Sequence, residues 1–156
     1  MYLPLLISTS KTRGAFSPDL EYNMPFDTLA RFGLYIKHIP FTIFPEPKNI
    51  IEQEWKDENG MDVYIPENIV YKSYAMEVEF VYYRNDGLAN VQIAAFCNAI
   101  IGRWLKIYDT YTKIGRQQIY AKEFENDPTF VRRGNHDYAS FKVIFSVNDP
   151  NTNIKL

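Results

Sequence analysis

At 156 residues with 46% apolar content, the chain has the length for one domain around one hydrophobic core, and too few signs of disorder or of a helical bundle for either of those classes. Seventeen basic residues against nineteen acidic ones leave a formal charge of −2 without any basic run, so the electrostatic footprint of a nucleic-acid binder is missing. Twelve Tyr and eleven Phe, spread along the whole length, favour a fold rich in β-structure.

The opening MYLPLLISTSK carries a short apolar run broken by Pro4 and has no basic n-region, so it reads as a first strand over Met1 to Ser8 and not as a signal peptide. It is also too short for a bilayer span, which needs about 20 apolar residues. Residues 9–30 are polar and contain prolines, and an extended arm or long loop is expected there. Phe32 to Ile39 alternates and reads as a strand. Residues 40–48 then form a second expected loop or arm, because Pro40, Pro45 and Pro47 cannot donate to a ladder. Extended structure resumes from Asn49 to Trp55.

Asn59-Gly60, within EWKDENGMDVYI, signals a hairpin because both central positions of a type I′ turn need positive φ. A two-residue loop would set Trp55 opposite Tyr64 but also Asp57 opposite Asp62, a repulsive pair, so a longer loop is an equal alternative. DENGMD does not make a calcium loop, since Met61 falls where an oxygen ligand is needed.

Tyr71 to Tyr83 has the period-2 pattern of a half-buried strand, with Tyr74, Met76, Val78, Phe80 and Tyr82 on one face and Ser73, Glu77 and Glu79 on the other. GLANVQIAAFCNAIIG, Gly87 to Gly102, contains no charge and is the one convincing helix. Asp86 is placed to cap its start and Gly102 to end it in the left-handed conformation. Ala89, Ile93, Phe96 and Ile100 share one sector, and Leu88, Val91, Ala95 and Ala99 share another. The first sector suits the sheet. The second is expected to be covered either by a loop of the same chain or by a neighbouring subunit. Cys97, inside this helix, has no base nearby in sequence and reads as a small core residue.

Shorter strands follow around Trp104 to Tyr108 and Arg116 to Phe124. RRGNHDY contains GNHD, a fragment resembling one metal-binding motif of the calcineurin-like metallophosphoesterases. That chemistry needs several His and Asp ligands, whereas this chain has only His38 and His136, so Gly134-Asn135 reads as a turn and His136 as the entry to the last strand. There Ala139, Phe141, Val143, Phe145 and Val147 share one face, opposite Ser140, Lys142 and Ser146. No Gly-rich phosphate loop, catalytic constellation or cofactor motif is present, so no enzyme activity, metal or cofactor is expected.

The order of elements from Trp55 to Pro150 resembles the N-terminal domain of the distal tail proteins of long-tailed bacteriophages. It runs through WKDENGMDVY, MEVEFVYY, the helix ending at Gly102, RWLKIYD, QQIYAKEF and FKVIFSVNDPN, whose alternating Phe and closing Asp149-Pro150 are similar to that family's usual ending. The resemblance implies a mainly β fold, a β-sandwich with one flanking α-helix like that of tail-tube subunits. It further implies hexameric rings, with tube and tail-tip proteins as partners, in a virion tail made in the bacterial cytoplasm. One domain is expected over residues 1–156, with no room after Asp149-Pro150 for the carbohydrate-binding-like domain of many relatives. Leu88, Val91, Ala95 and Ala99 are then candidates for the subunit interface. Nucleic acid and membrane are not expected partners. A tail-tube or tail-completion subunit fits the same features. A different class, a small carbohydrate- or peptide-binding β-sandwich using Tyr as a stacking platform, is the alternative; a hydrolase would require two carboxylates converging in a deep cleft.

Overall fold

A computed structural model describes residues 3–13, 20–37, 41–125 and 129–156. In chain order these form β1 (Leu5–Thr9), β2 (Phe26–Asp27), α1 (Thr28–Phe32), β3 (Leu34–Ile36), β4 (Ile51–Glu54), β5 (Met61–Tyr64), β6 (Tyr74–Arg84), α2 (Ala89–Ile100), β7 (Leu105–Asp109), β8 (Ile114–Phe124), β9 (Thr129–Arg133) and β10 (His136–Val147). The class is the expected one, mainly β with a flanking helix.

Eight strands make one antiparallel sheet in the order β2-β1-β7-β8-β10-β6-β3, with β9 added to β10. The sheet curls until Leu3 and Ile36 exchange two backbone hydrogen bonds, at 3.0 and 2.8 Å, which joins the β1 side to β3. Irregularities supply the bend. The register shifts between Leu105 and Ile107 and between Ile144 and Phe145, and Gln118 in β8 takes φ 52°; extra residues of this kind increase local twist.

The expected inward residues face inward, Tyr74 only half-buried, and Val81 on the opposite face of β6 is buried as well. Met76, Val78, Phe80 and Tyr82 of β6 are buried, as are Ala139, Phe141, Val143, Phe145 and Val147 of β10, and the two strands pair along eleven residues. β10 divides its other edge, pairing β9 over 136–140 and β8 over 143–147. β9 is absent from the sequence reading. Gly134-Asn135 forms the expected turn between β9 and β10, with Gly134 at φ 63°.

α2 lays Phe96 on the sheet, 4.8 Å from Phe80 and 6.2 Å from Phe141 between ring centroids, and also meets Phe32 of α1 at 5.6 Å. Its ends differ from expectation. Leu88 is the N-cap and makes no side-chain bond, while Asp86, two residues earlier, accepts from the Leu88 N–H at 3.0 Å and from the Tyr82 hydroxyl. The C-cap is the extended Ile101, and left-handed Gly102, at φ 68°, belongs to the turn that follows.

Of residues 9–30, where an arm or long loop is expected, 14–19 lie outside the described residues and the rest is tied to β1. Lys11 N–H donates to the Glu21 carbonyl at 3.0 Å and Asn23 N–H to the Thr9 carbonyl at 2.7 Å, so residues 20–27 run back beside β1. Phe32 does not begin a strand. Asp27 caps α1, accepting from the Leu29 and Ala30 N–H groups at 2.8 and 3.0 Å, and Gly33 at φ 71° ends it, which leaves only Leu34–Ile36 as strand. His38, Ile39 and Pro40 lie outside the described residues. Of the second expected loop, Phe41 and Pro45 are buried, whereas Ile43 and Phe44 are 66% and 89% exposed.

Candidate interaction surfaces

β4 and β5 stand apart from the sheet as a two-stranded hairpin with Glu54 paired to Met61, so the longer of the two loops is the one that forms. The six connecting residues separate Asp57 from Asp62, and Trp55 Nε1 donates to Asp62 Oδ2 at 2.9 Å. The root is firm. Lys48 and Val70, and Glu46 and Lys72, are linked by backbone hydrogen bonds of 2.9 and 2.8 Å, and Asn49 bridges to Asn68 and Val70 through its side chain. Beyond it every residue of both strands is exposed, on both faces. Ile51, Met61, Val63 and Tyr64 are 49–63% exposed, and Trp55 and Ile65 at the strand ends are 52% and 66% exposed. A lone two-stranded hairpin is marginal in water and gains when a further surface covers it.

The helix sector named from sequence is split by the fold. Leu88 and Val91 are 43% and 63% exposed and Ala95 is exposed, but Ala99 is half-buried and packs on the core. Among the described residues, the only hydrogen bond that the helix surface receives from the N-terminal segment runs from Arg13 Nη2 to the Asn98 carbonyl, at 3.5 Å.

Among the described residues, four clefts bear on the question of partners. One of about 250 Å³ is lined by Gly102, Arg103, Trp104, Tyr120 and Ala121, where the Trp104 and Tyr120 rings meet edge to face at 5.5 Å and 81°. Strand pairing of β7 with β8 brings these two rings together. Arg103 makes no hydrogen bond or ion pair among the described residues, and its Nε is shielded from water without an acceptor. A second cleft collects Glu77, Glu123 and Glu125 around Lys142. Lys142 Nζ lies 3.2 Å from Glu77, whose hydrogen bond raises the lysine pKa, so this is an exposed ion-pair cluster. A third joins the start of α2 to β9 through Phe130, Val131 and Arg132, with Asp137 paired to Arg132 at 3.9 Å. The fourth lies at the hairpin root, against Asp149 and Pro150.

Among the described residues no group of three or more His, Cys, Asp or Glu is placed to hold a metal ion. His136 stacks on Tyr83, 4.7 Å between centroids. Burial raises the pKa of the half-buried Cys97 thiol, the reverse of what activates a nucleophile. No helix among the described residues is long and apolar enough to cross a membrane. Asp149, in the Asp-Pro ending, binds the turn after β10: its carboxylate accepts from Gln117 Nε2 at 2.8 Å and from the Thr152 N–H at 3.2 Å.

Neither the family models nor the curated proteins contain a match to this chain.

Proposed function

We infer that this protein is a structural subunit that assembles with copies of itself, and that its assembly is a ring, hexameric by resemblance, in the tail of a phage or prophage at the distal tail or baseplate hub. The observation that carries the self-assembly is the β4–β5 hairpin, rooted by backbone hydrogen bonds yet exposed on both faces with six large apolar side chains. A hairpin of one copy resting on the body of the next is a heterologous contact, which closes into a ring when the rotation between copies is fixed. The exposed part of the helix sector, Leu88, Val91 and Ala95, offers a second contact. In this reading the chain carries no catalytic step or cofactor, and its further partners are tube and tail-tip proteins of the virion.

The phage assignment rests on the sequence resemblance alone. Sedimentation velocity of the full chain tests the assembly, with negative-stain microscopy for closure: closed rings are expected, and a monomer at every concentration, also in the presence of tube and tail-tip proteins, would contradict it. The Trp104–Tyr120 groove favours a second reading, a small carbohydrate- or peptide-binding module, because paired aromatic rings are a stacking surface.

A further inference from the structure

We propose that the groove formed by Arg103, Trp104 and Tyr120 is the seat of the β4–β5 hairpin of a second copy, with the hairpin-tip carboxylates of Asp57 and Glu58 paired to the Arg103 guanidinium. The inference deepens the self-assembly reading and rests on it.

Charge selects both halves of the contact. Residues 51–64 hold five of the nineteen acidic residues and only Lys56 among the seventeen basic ones, so the hairpin is strongly negative and the rest of the chain is net positive. The body clefts then differ in how they would receive it. The cleft around Lys142 presents three glutamates and repels an acidic tip. Beside β9, Arg132 already has Asp137. The cleft at the hairpin root belongs to the base of the hairpin and contains Asp149. Only the Trp104–Tyr120 groove, among these four, combines an arginine that has no counter-ion among the described residues with a described lining that contains no carboxylate.

The chemistry of the two surfaces matches. A guanidinium whose Nε–H has lost water and found no acceptor is in a costly state, and a carboxylate that draws the fork toward itself satisfies it through charge-assisted hydrogen bonds. Beside it the Trp104 and Tyr120 rings give apolar area for Met61 or Trp55, which stand next to the tip and are both 52% exposed. Aromatic side chains and arginine are the residue types that dominate protein interfaces. The chain's own hairpin does not occupy the groove, since all residues of β4 and β5 are exposed, so a hairpin seated there is another copy's.

Disulfide trapping on the full chain tests the seat. In a Cys97→Ser background, Glu58→Cys combined with Ala121→Cys should give intermolecular, reducible ladders on oxidation, whereas Glu58→Cys with Lys142→Cys should not. In parallel, Arg103→Glu alone and Asp57→Lys/Glu58→Lys alone should each weaken self-association by about tenfold or more, and the two combined should restore most of it. Equal trapping in both cysteine pairs, or association indifferent to Arg103→Glu, overturns the assignment. If the wild type assembles, and Met61→Asp/Val63→Asp dissolves the assembly while Ala121→Cys does not trap, hairpin assembly stands and the groove is wrong. A wild type that neither associates nor traps contradicts both. Retention of a soluble glycan by wild type but not by Trp104→Ala, with association unaffected by Arg103→Glu, assigns the groove to a sugar instead.

Discussion

Phe96 of α2 rests on Phe80 of β6 with ring centroids 4.8 Å apart, and both side chains are fully buried. An uncharged helix thereby finds its apolar partner in the inner face of the curled sheet. Phe80 also meets Phe141 at 5.6 Å and Phe145 at 6.5 Å, so one ring ties two strands to the helix. Phe80→Ala is expected to cost about 3–5 kcal/mol, from lost burial and the remaining cavity. Glu79→Ala, on the opposite face and joined to Lys37 by a partly exposed ion pair, should cost under about 1 kcal/mol. A denaturant titration that found equal losses would refute the assignment of the two faces.

The exposed and buried sides of α2 make a second contrast. Ile100 is fully buried, and Ile100→Glu should unfold the chain because the charge has no partner there. Ala95→Glu faces solvent in the single chain and should leave its circular dichroism unchanged while reducing self-association. Loss of the folded signal in Ala95→Glu would place that residue in the core.

Gly115 has no room for a side chain. A Cβ there would overlap the Ile154 carbonyl oxygen and approach Tyr108 Cδ2 to 2.9 Å. The Gly115 N–H donates to Asn153 Oδ1 at 2.8 Å and its carbonyl accepts from the Ile154 N–H at 3.1 Å, so the C-terminal segment is held against β8 by close backbone approach. Gly115→Ala should detach residues 151–156 and cost about 1–3 kcal/mol. Limited proteolysis read by mass spectrometry would show faster C-terminal trimming in the variant; equal trimming rates would count against this fastening.

Asp149 gives the ending of β10 a pH dependence. Burial pushes its carboxyl pKa up, but hydrogen bonds from Gln117, Thr152 and Asn151 outweigh it and hold the group below its ordinary value. A carboxylate with a lowered folded pKa contributes stability above its unfolded value of about 4, and that contribution disappears as pH falls through the folded value. Asp149→Asn should therefore be less stable than wild type at pH 7, with the gap closing below about pH 4. A gap independent of pH in thermal melts would mean that the ionised form contributes nothing.

Strands were legible in the sequence where their two faces differ. β6 and β10 run over eleven and twelve residues, long enough for period 2 to dominate, and the residues expected inward are buried except the half-buried Tyr74, while Val81 on the other face of β6 is buried as well. β9 is five residues, TFVRR, with two arginines, and is a strand only because β10 extends beyond β8 and leaves an edge to pair. Phe32 alternates with Leu34 as a strand residue would, yet the local caps, Asp27 before and Gly33 after about a turn and a half, place it in a helix. Asn59-Gly60 signals a hairpin, but that both of its strands stay exposed on both faces is a tertiary fact. Trp104 and Tyr120 are likewise distant in sequence, and only the bulged register of β7 on β8 sets their rings together.

Self-assembly through the β4–β5 hairpin is tested most directly by sedimentation velocity over a wide concentration range, comparing wild type with Met61→Asp/Val63→Asp. Both substituted residues are about half exposed in the single chain, so the variant should remain folded. The expected result is a concentration-dependent oligomer for wild type and a folded monomer for the variant. Identical sedimentation of the two folded proteins at every concentration would contradict it.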